Sequence, residues 1–188
     1  MRNICIFASG GGTNAEAIIQ FFSDKPLVNV CLIVSSRKDA YVLKRAENHH
    51  IPSLVLDRSA FRETENLLET LKEHAVDLIV LAGFMWLVPT YLVAAYPNKI
   101  VNIHPALLPK YGGKGMYGSH VHEAVISAGE KKSGITIHYV NEHYDEGAII
   151  VQATCEVTPE DTPESLAEKI HQLEHQHFPR VIEGVILR

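Results

Sequence analysis

Short apolar, β-branched runs alternate along the chain with stretches that repeat apolar positions every three or four residues. This alternation predicts most of the fold. ICIFAS (4–9) reads as a strand, SGGGTN (9–14) as a turn, and Ala15 to Phe22 as a helix with apolar residues at 15, 18, 19 and 22. Asp24-Lys25-Pro26 stops that helix, and VNVCLIVSS (28–36) forms a second strand. Asp39 is placed to cap a helix that runs to about His49 and ends before Pro52. SLVLD (53–57) is a short strand, followed by one helix from Ser59 to about His74. DLIVLAG (77–83), a short helix over 90–96 and KIVNIHP (99–105) complete the first half. Strands and helices in this order imply a parallel sheet covered on both faces, and right-handed crossovers make it doubly wound.

The second half departs from that rhythm. After a helix over about 118–128 come GITIHYV (134–140) and AIIVQATCEV (148–157). The seven residues 141–147 between them are too few for a crossover helix, so an antiparallel edge hairpin is expected. Residues 163–187 read as a terminal helix broken near Pro179. The fold class is therefore α/β: a doubly wound, mostly parallel sheet with an antiparallel edge and a C-terminal helix. No linker divides the 188 residues, so one domain is expected.

Composition narrows the function classes. Apolar residues make up 46% and charged residues 21%, as in an ordinary globular chain, and the net charge is -5. No basic face is evident, which disfavours nucleic acid and membrane surfaces as partners. No run is long enough to span a membrane, and none resembles a secretion signal. Cys5, Cys31 and Cys155 lie far apart inside apolar runs, so they are expected to be reduced core residues of a cytoplasmic protein, without a cysteine metal site.

Two places carry candidate chemistry. SGGGTN follows a strand and opens a helix, the setting in which glycines let a backbone approach an anion and free N–H groups receive it. Thr13 or Asn14 could cap that helix or donate to a phosphate. The spacing Gly10-x-Gly12-x-x-Ala15 also resembles a dinucleotide fingerprint. The second strand, however, ends in Ser35-Ser36-Arg37 without the acidic residue NAD requires, so an NADP reading would rest on Arg37 alone. A tight turn without any ligand is the other reading.

The second place is VNIHPALLPKYGG (101–113). Asn102 and His104 alternate with Val101 and Ile103, so they share a face at the end of a strand, where open parallel sheets bind ligands. They supply donors and one group that titrates near neutrality. Asp145, in the loop between the two late strands, is a candidate to orient and charge His104.

SGGGTN, VLAGFM (80–85), NIHPALLPKYGG (102–113), HVHEAV (120–125), GITIHYV (134–140) and DEGAIIVQ (145–152) together resemble the phosphoribosylglycinamide formyltransferases, folate-dependent enzymes of purine synthesis. The resemblance implies transfer of a formyl group from 10-formyltetrahydrofolate, as cosubstrate, to the amine of glycinamide ribonucleotide. It implies Asn102, His104 and Asp145 as the catalytic set, with Asp145 raising the pKa of His104. It places the substrate phosphate on Gly11, Gly12, Thr13 and Asn14. Glu174 is then either a nucleotide contact or a solvated helix carboxylate. The folate falls along Met85, Trp86, Leu87 and Val88 and against Val140, Asn141, Glu142, His143 and Tyr144. On this view residues 1–100 form a nucleotide-binding half and 101–188 a catalytic and folate-binding half. No metal is implied, and the protein is expected as a monomer or homodimer.

Two departures from the family stand out. Trp86 replaces a residue that is often basic, losing a charged contact but offering a stacking face. The glycine-rich stretch 111–122 is longer than usual and reads either as a mobile flap or as a lengthened surface loop. His120 and His122 have H-x-H spacing at a helix start with no third ligand, and His171, His175 and His177 read as exposed helix residues.

Three other functions compete. A formyltetrahydrofolate hydrolase would carry an N-terminal regulatory domain, and a methionyl-tRNA formyltransferase a C-terminal RNA-binding domain. A non-catalytic nucleotide-binding module would leave Asn102-Ile-His-Pro unexplained.

Overall fold

Alternation of side chains along the first strand sets up two cores. The computed structural model describes residues 1–188. In β1 (Arg2–Ala8), Ile4, Ile6 and Ala8 enter one apolar layer while Cys5 and Phe7 enter the other. The remaining strands are β2 (Val28–Ser35), β3 (Ser53–Val55), β4 (Leu78–Leu81), β5 (Ile100–His104), β6 (Lys132–Tyr139) and β7 (Ile149–Glu156). The helices are α1 (Thr13–Phe22), α2 (Val42–Asn48), α3 (Arg58–Glu63), α4 (Asn66–Glu73), α5 (Thr90–Ala95), α6 (Ser119–Ser127) and α7 (Pro163–Ile186). The seven strands form one sheet in the order β3-β2-β1-β4-β5-β6-β7.

Strands β1 to β5 pair in parallel, and β6 and β7 each pair antiparallel with their neighbour, which bears out the doubly wound sheet and the late hairpin. The larger core takes its buried residues from α1, α2, α6 and α7, and the smaller from α3, α4 and α5. The strand order reverses between β1 and β4, so a crevice opens there beyond the strand ends.

Two expectations about helices are corrected. The helix expected from Ser59 to His74 is two helices, because Thr64 is extended (φ -130°, ψ 158°) and returns both its N–H and its hydroxyl to the Ala60 carbonyl. The terminal helix is not broken at Pro179. α7 runs through it, with Phe178, Pro179 and Ile182 buried, so packing outweighs the one helical hydrogen bond that proline forfeits. No helix is long and apolar enough to cross a membrane. The three cysteines are unpaired, and burial pushes the Cys31 thiol up to about 11.

Candidate active site

On β5 and β6 one face is polar where a core would be apolar. Ile135 and Ile137 join the larger core, so Thr136 and His138 turn to the opposite face. Pairing sets Asn102 beside His138 and His104 beside Thr136. Thr136 is satisfied structurally: it donates to the Ala106 carbonyl and accepts from the Leu108 N–H and the Gln152 amide. The other three polar side chains meet Asp145.

Asp145 sits in the β6–β7 loop with φ 56°, a left-handed conformation that aspartate tolerates better than most residues. Its Oδ2 accepts from the Gly113 N–H at 2.9 Å and lies 3.5 Å from His104 Nδ1. Its Oδ1 lies 3.5 Å from Asn102 Nδ2 and 3.7 Å from His138 Nε2. His138 Nδ1 donates to the Tyr139 carbonyl at 2.7 Å, which leaves Nε2 to accept from Asn102 Nδ2 at 3.1 Å in the neutral ring. His104 Nε2 donates to the Tyr111 carbonyl at 2.7 Å.

Burial and neighbouring groups push the charges here in opposite directions. Burial pushes Asp145 up, but His138, His104 and the Gly113 N–H together hold its carboxyl below the usual range. Burial pushes His104 down, and His138 adds to this, while Asp145 and the Tyr111 carbonyl push it up. The net position of His104 is below an ordinary histidine. The expected upward influence of Asp145 is therefore present but outweighed by desolvation.

Asn102, His104 and Asp145 line a cavity of about 630 Å³, a size suited to a small-molecule site. The glycine turn lines its other end. Gly12 is the N-cap of α1 with φ 69°, and a Cβ there would lie 2.6 Å from a methyl of Val42. Only glycine fits that backbone. Neither Thr13 nor Asn14 caps α1, which corrects the capping expectation. Asn14 Nδ2 instead donates to Glu174 Oε2 at 2.8 Å. Glu174 is 6% exposed, so it is no solvated carboxylate; burial pushes its pKa up, and Asn14 and His171 offset part of that. Arg37, the one cation an NADP reading had, is exposed and paired with both oxygens of Asp39.

The folate candidates divide. Met85 and Tyr144 line the cavity, whereas Trp86, Leu87, Val88, Val140, Asn141, Glu142 and His143 do not. Val88 is buried in the smaller core. Trp86 packs against Phe61 and Phe84 and lies under the Arg58 guanidinium, 5.7 Å from its ring, so its stacking face is largely taken. The N–H groups of Trp86, Leu87 and Val88 are not used within the protein, whereas the Met85 N–H goes to Ser9 Oγ.

His138, behind the cavity wall, and His122, in it, had no role assigned from sequence. His138 was signalled only by being polar on a strand whose neighbours were apolar. His122 and His171 line the cavity, and so does the glycine-rich stretch from Gly113 to Gly118, as its reading as a flap beside the site anticipated. His171 is therefore not merely a surface residue, although its ring does stack on His175 as i, i+4 spacing allows.

The family model described as formyl transferase matches residues 2–182. The chain belongs to the formyl transferase family. Relatives within that family include phosphoribosylglycinamide formyltransferases. It is 38% identical to the enzyme of that name from Bacillus subtilis, over 99% of this chain and 95% of the relative. The chloroplastic enzyme of Arabidopsis thaliana is 40% identical over 98% of this chain, which spans 65% of that relative's length. The crystal structure of the Bacillus halodurans enzyme superposes with a TM-score of 0.89 at 40% identity, covering 98% of this chain and 95% of that one. The chain is a folate-dependent formyltransferase of purine biosynthesis, and the family uses 10-formyltetrahydrofolate as donor without a metal.

Proposed function

We propose that Asn102, His104 and Asp145 carry the formyl transfer to glycinamide ribonucleotide. The observation that supports this most is their convergence at one end of a cavity whose other end is the glycine turn. The amine of the acceptor attacks the formyl carbon, and negative charge develops on the formyl oxygen. Asn102 has one N–H well engaged by His138 and one held only loosely, 3.5 Å from Asp145. The loosely held N–H is the one free to reach the oxyanion. His104 sits between the Tyr111 carbonyl and the Asp145 carboxylate, so it gains a proton more readily once a second negative group arrives beside it. Asp145 holds a water that takes the proton from the attacking amine and delivers it to the departing nitrogen of tetrahydrofolate. The tetrahedral intermediate then collapses to formylated acceptor and tetrahydrofolate.

The phosphate rests on the free N–H groups of Gly11, Gly12, Thr13 and Asn14 at the α1 N-terminus. Glu174 lies under the middle of the nucleotide. The folate enters over Met85 and Tyr144, with its pteridine taking backbone contacts from Trp86, Leu87 and Val88 and from Val140, Asn141, Glu142 and His143. Both halves of the chain thus contribute to each substrate. We place the enzyme in the cytoplasm, as a monomer or homodimer.

Paired variants test this placement. Gly12→Ala forces an L-residue into a left-handed conformation and against Val42, at a cost of ~1–2 kcal/mol. It raises KM for glycinamide ribonucleotide by about tenfold and leaves KM for the folate unchanged. Met85→Ala does the reverse, by roughly threefold to tenfold. Equal effects on both constants in either variant would contradict the assignment.

A further inference from the structure

His122 is buried, lines the cavity and has no part in the transfer described above. It stands in the first turn of α6, where its neighbour in the H-x-H pair behaves differently. His120 is exposed and turns to Glu123 and Tyr117. His122 is only 5% exposed, and its Nδ1 is buried without a hydrogen-bond partner. Buried polar atoms are nearly always paired, so an unpaired one in a cavity wall marks a place where a ligand supplies the partner.

A second unpaired atom lines the same cavity. Asn14 gives its Nδ2 to Glu174, and its Oδ1 is buried with nothing to accept from. A carbonyl oxygen repels phosphate and requires a donor such as a hydroxyl or amide N–H. Asn14 is tied to α7 through Glu174, and His122 lines the same cavity as Glu174, His104 and His171, the last one turn before Glu174 on α7. His122 therefore shares one cavity with the catalytic imidazole and the nucleotide end. The part of the acceptor that passes there is its neutral middle, which carries sugar hydroxyls and an amide.

We propose that His122 contacts the acceptor nucleotide, hydrogen-bonding the sugar–glycinamide portion between the phosphate and the reacting amine. This rests on the acceptor assignment above. Burial, and the neighbouring imidazoles of His171 and His104, lower the pKa of His122. A neutral imidazole carries one donor and one acceptor, which suits hydroxyl and amide groups and not a phosphate.

The test uses the purified full chain with His122→Leu and His122→Gln. Each substrate is varied at saturating concentrations of the other, and Tm is measured. Loss of one neutral hydrogen bond raises KM for glycinamide ribonucleotide about fivefold to tenfold in the leucine variant, with the folate constant unchanged. The glutamine variant, which restores a donor and an acceptor, recovers part of the loss. Tm stays level or rises in the leucine variant, because an unpaired buried nitrogen has been removed. An unchanged constant for the nucleotide overturns the proposal. So does a fall in Tm with both constants raised, the mark of a structural role. Should leucine fail to fold, the same nucleotide constant measured in the glutamine variant and in His122→Asn decides. Failure of the wild-type protein to use glycinamide ribonucleotide would instead overturn the acceptor assignment, and that is seen before any variant is made.

Discussion

His104→Ala lowers kcat by at least ~100-fold while both KM values stay within a small factor of the wild type. That scale is the usual loss when one donor to a developing oxyanion is removed. The substitution also frees the Tyr111 carbonyl that Nε2 holds at 2.7 Å. Some loss of stability is expected from that carbonyl, so Tm and circular dichroism must accompany the kinetics. His104→Gln keeps a donor near the carbonyl but cannot become a cation. A rate close to wild type in either variant, with the fold intact, removes His104 from the chemistry.

Asp145→Asn has a comparable effect by a different route. The carboxylate faces His104, His138, Asn102 and the Gly113 N–H together. Asparagine keeps an acceptor for Gly113 but loses the charge that pushes His104 up. The sign follows directly: the pKa of His104 falls further below its ordinary value, so less of it is protonated at neutral pH. The expected result is a loss of ~100-fold or more in kcat, with the limb of the pH–rate profile due to His104 moved to lower pH. An unmoved limb would show that the two residues are not coupled as their 3.5 Å separation suggests.

The chain spelled out much of this site and left part of it silent. Periodicity located β1, β2, β4 and β5 because buried parallel strands must be apolar on both faces, as Ile4 to Ala8 are, and the edge pair β6 and β7 by the short span between their apolar runs. Periodicity could not find the break at Thr64, where one extended residue interrupts an otherwise apolar repeat. Nor could it foresee α7 passing through Pro179, which depends on what packs against that helix. Asn102 and His104 were legible as polar residues on a buried strand end. Their meeting with Asp145 was expected from its loop position and from the family resemblance, but spacing could not show it, since the β6–β7 loop must fold back with a left-handed residue to make it. Burial was the least legible quantity. It decided between the two readings of Glu174 in favour of a cavity residue, turned His104 down in pKa, and withdrew the side chain of Val88 from any ligand. Trp86 was read as a free stacking face because its neighbours Phe61 and Arg58 lie well upstream in sequence and only the fold brings them over it.

The central claim is that this cavity joins two substrates at Asn102, His104 and Asp145. The most direct measurement follows a labelled formyl group from 10-formyltetrahydrofolate with and without glycinamide ribonucleotide. The account predicts that label appears in the nucleotide in equal amount to the tetrahydrofolate released, and that release stops when the nucleotide is omitted. Tetrahydrofolate formed at the same rate with water as the only acceptor, and label recovered as formate, would contradict it.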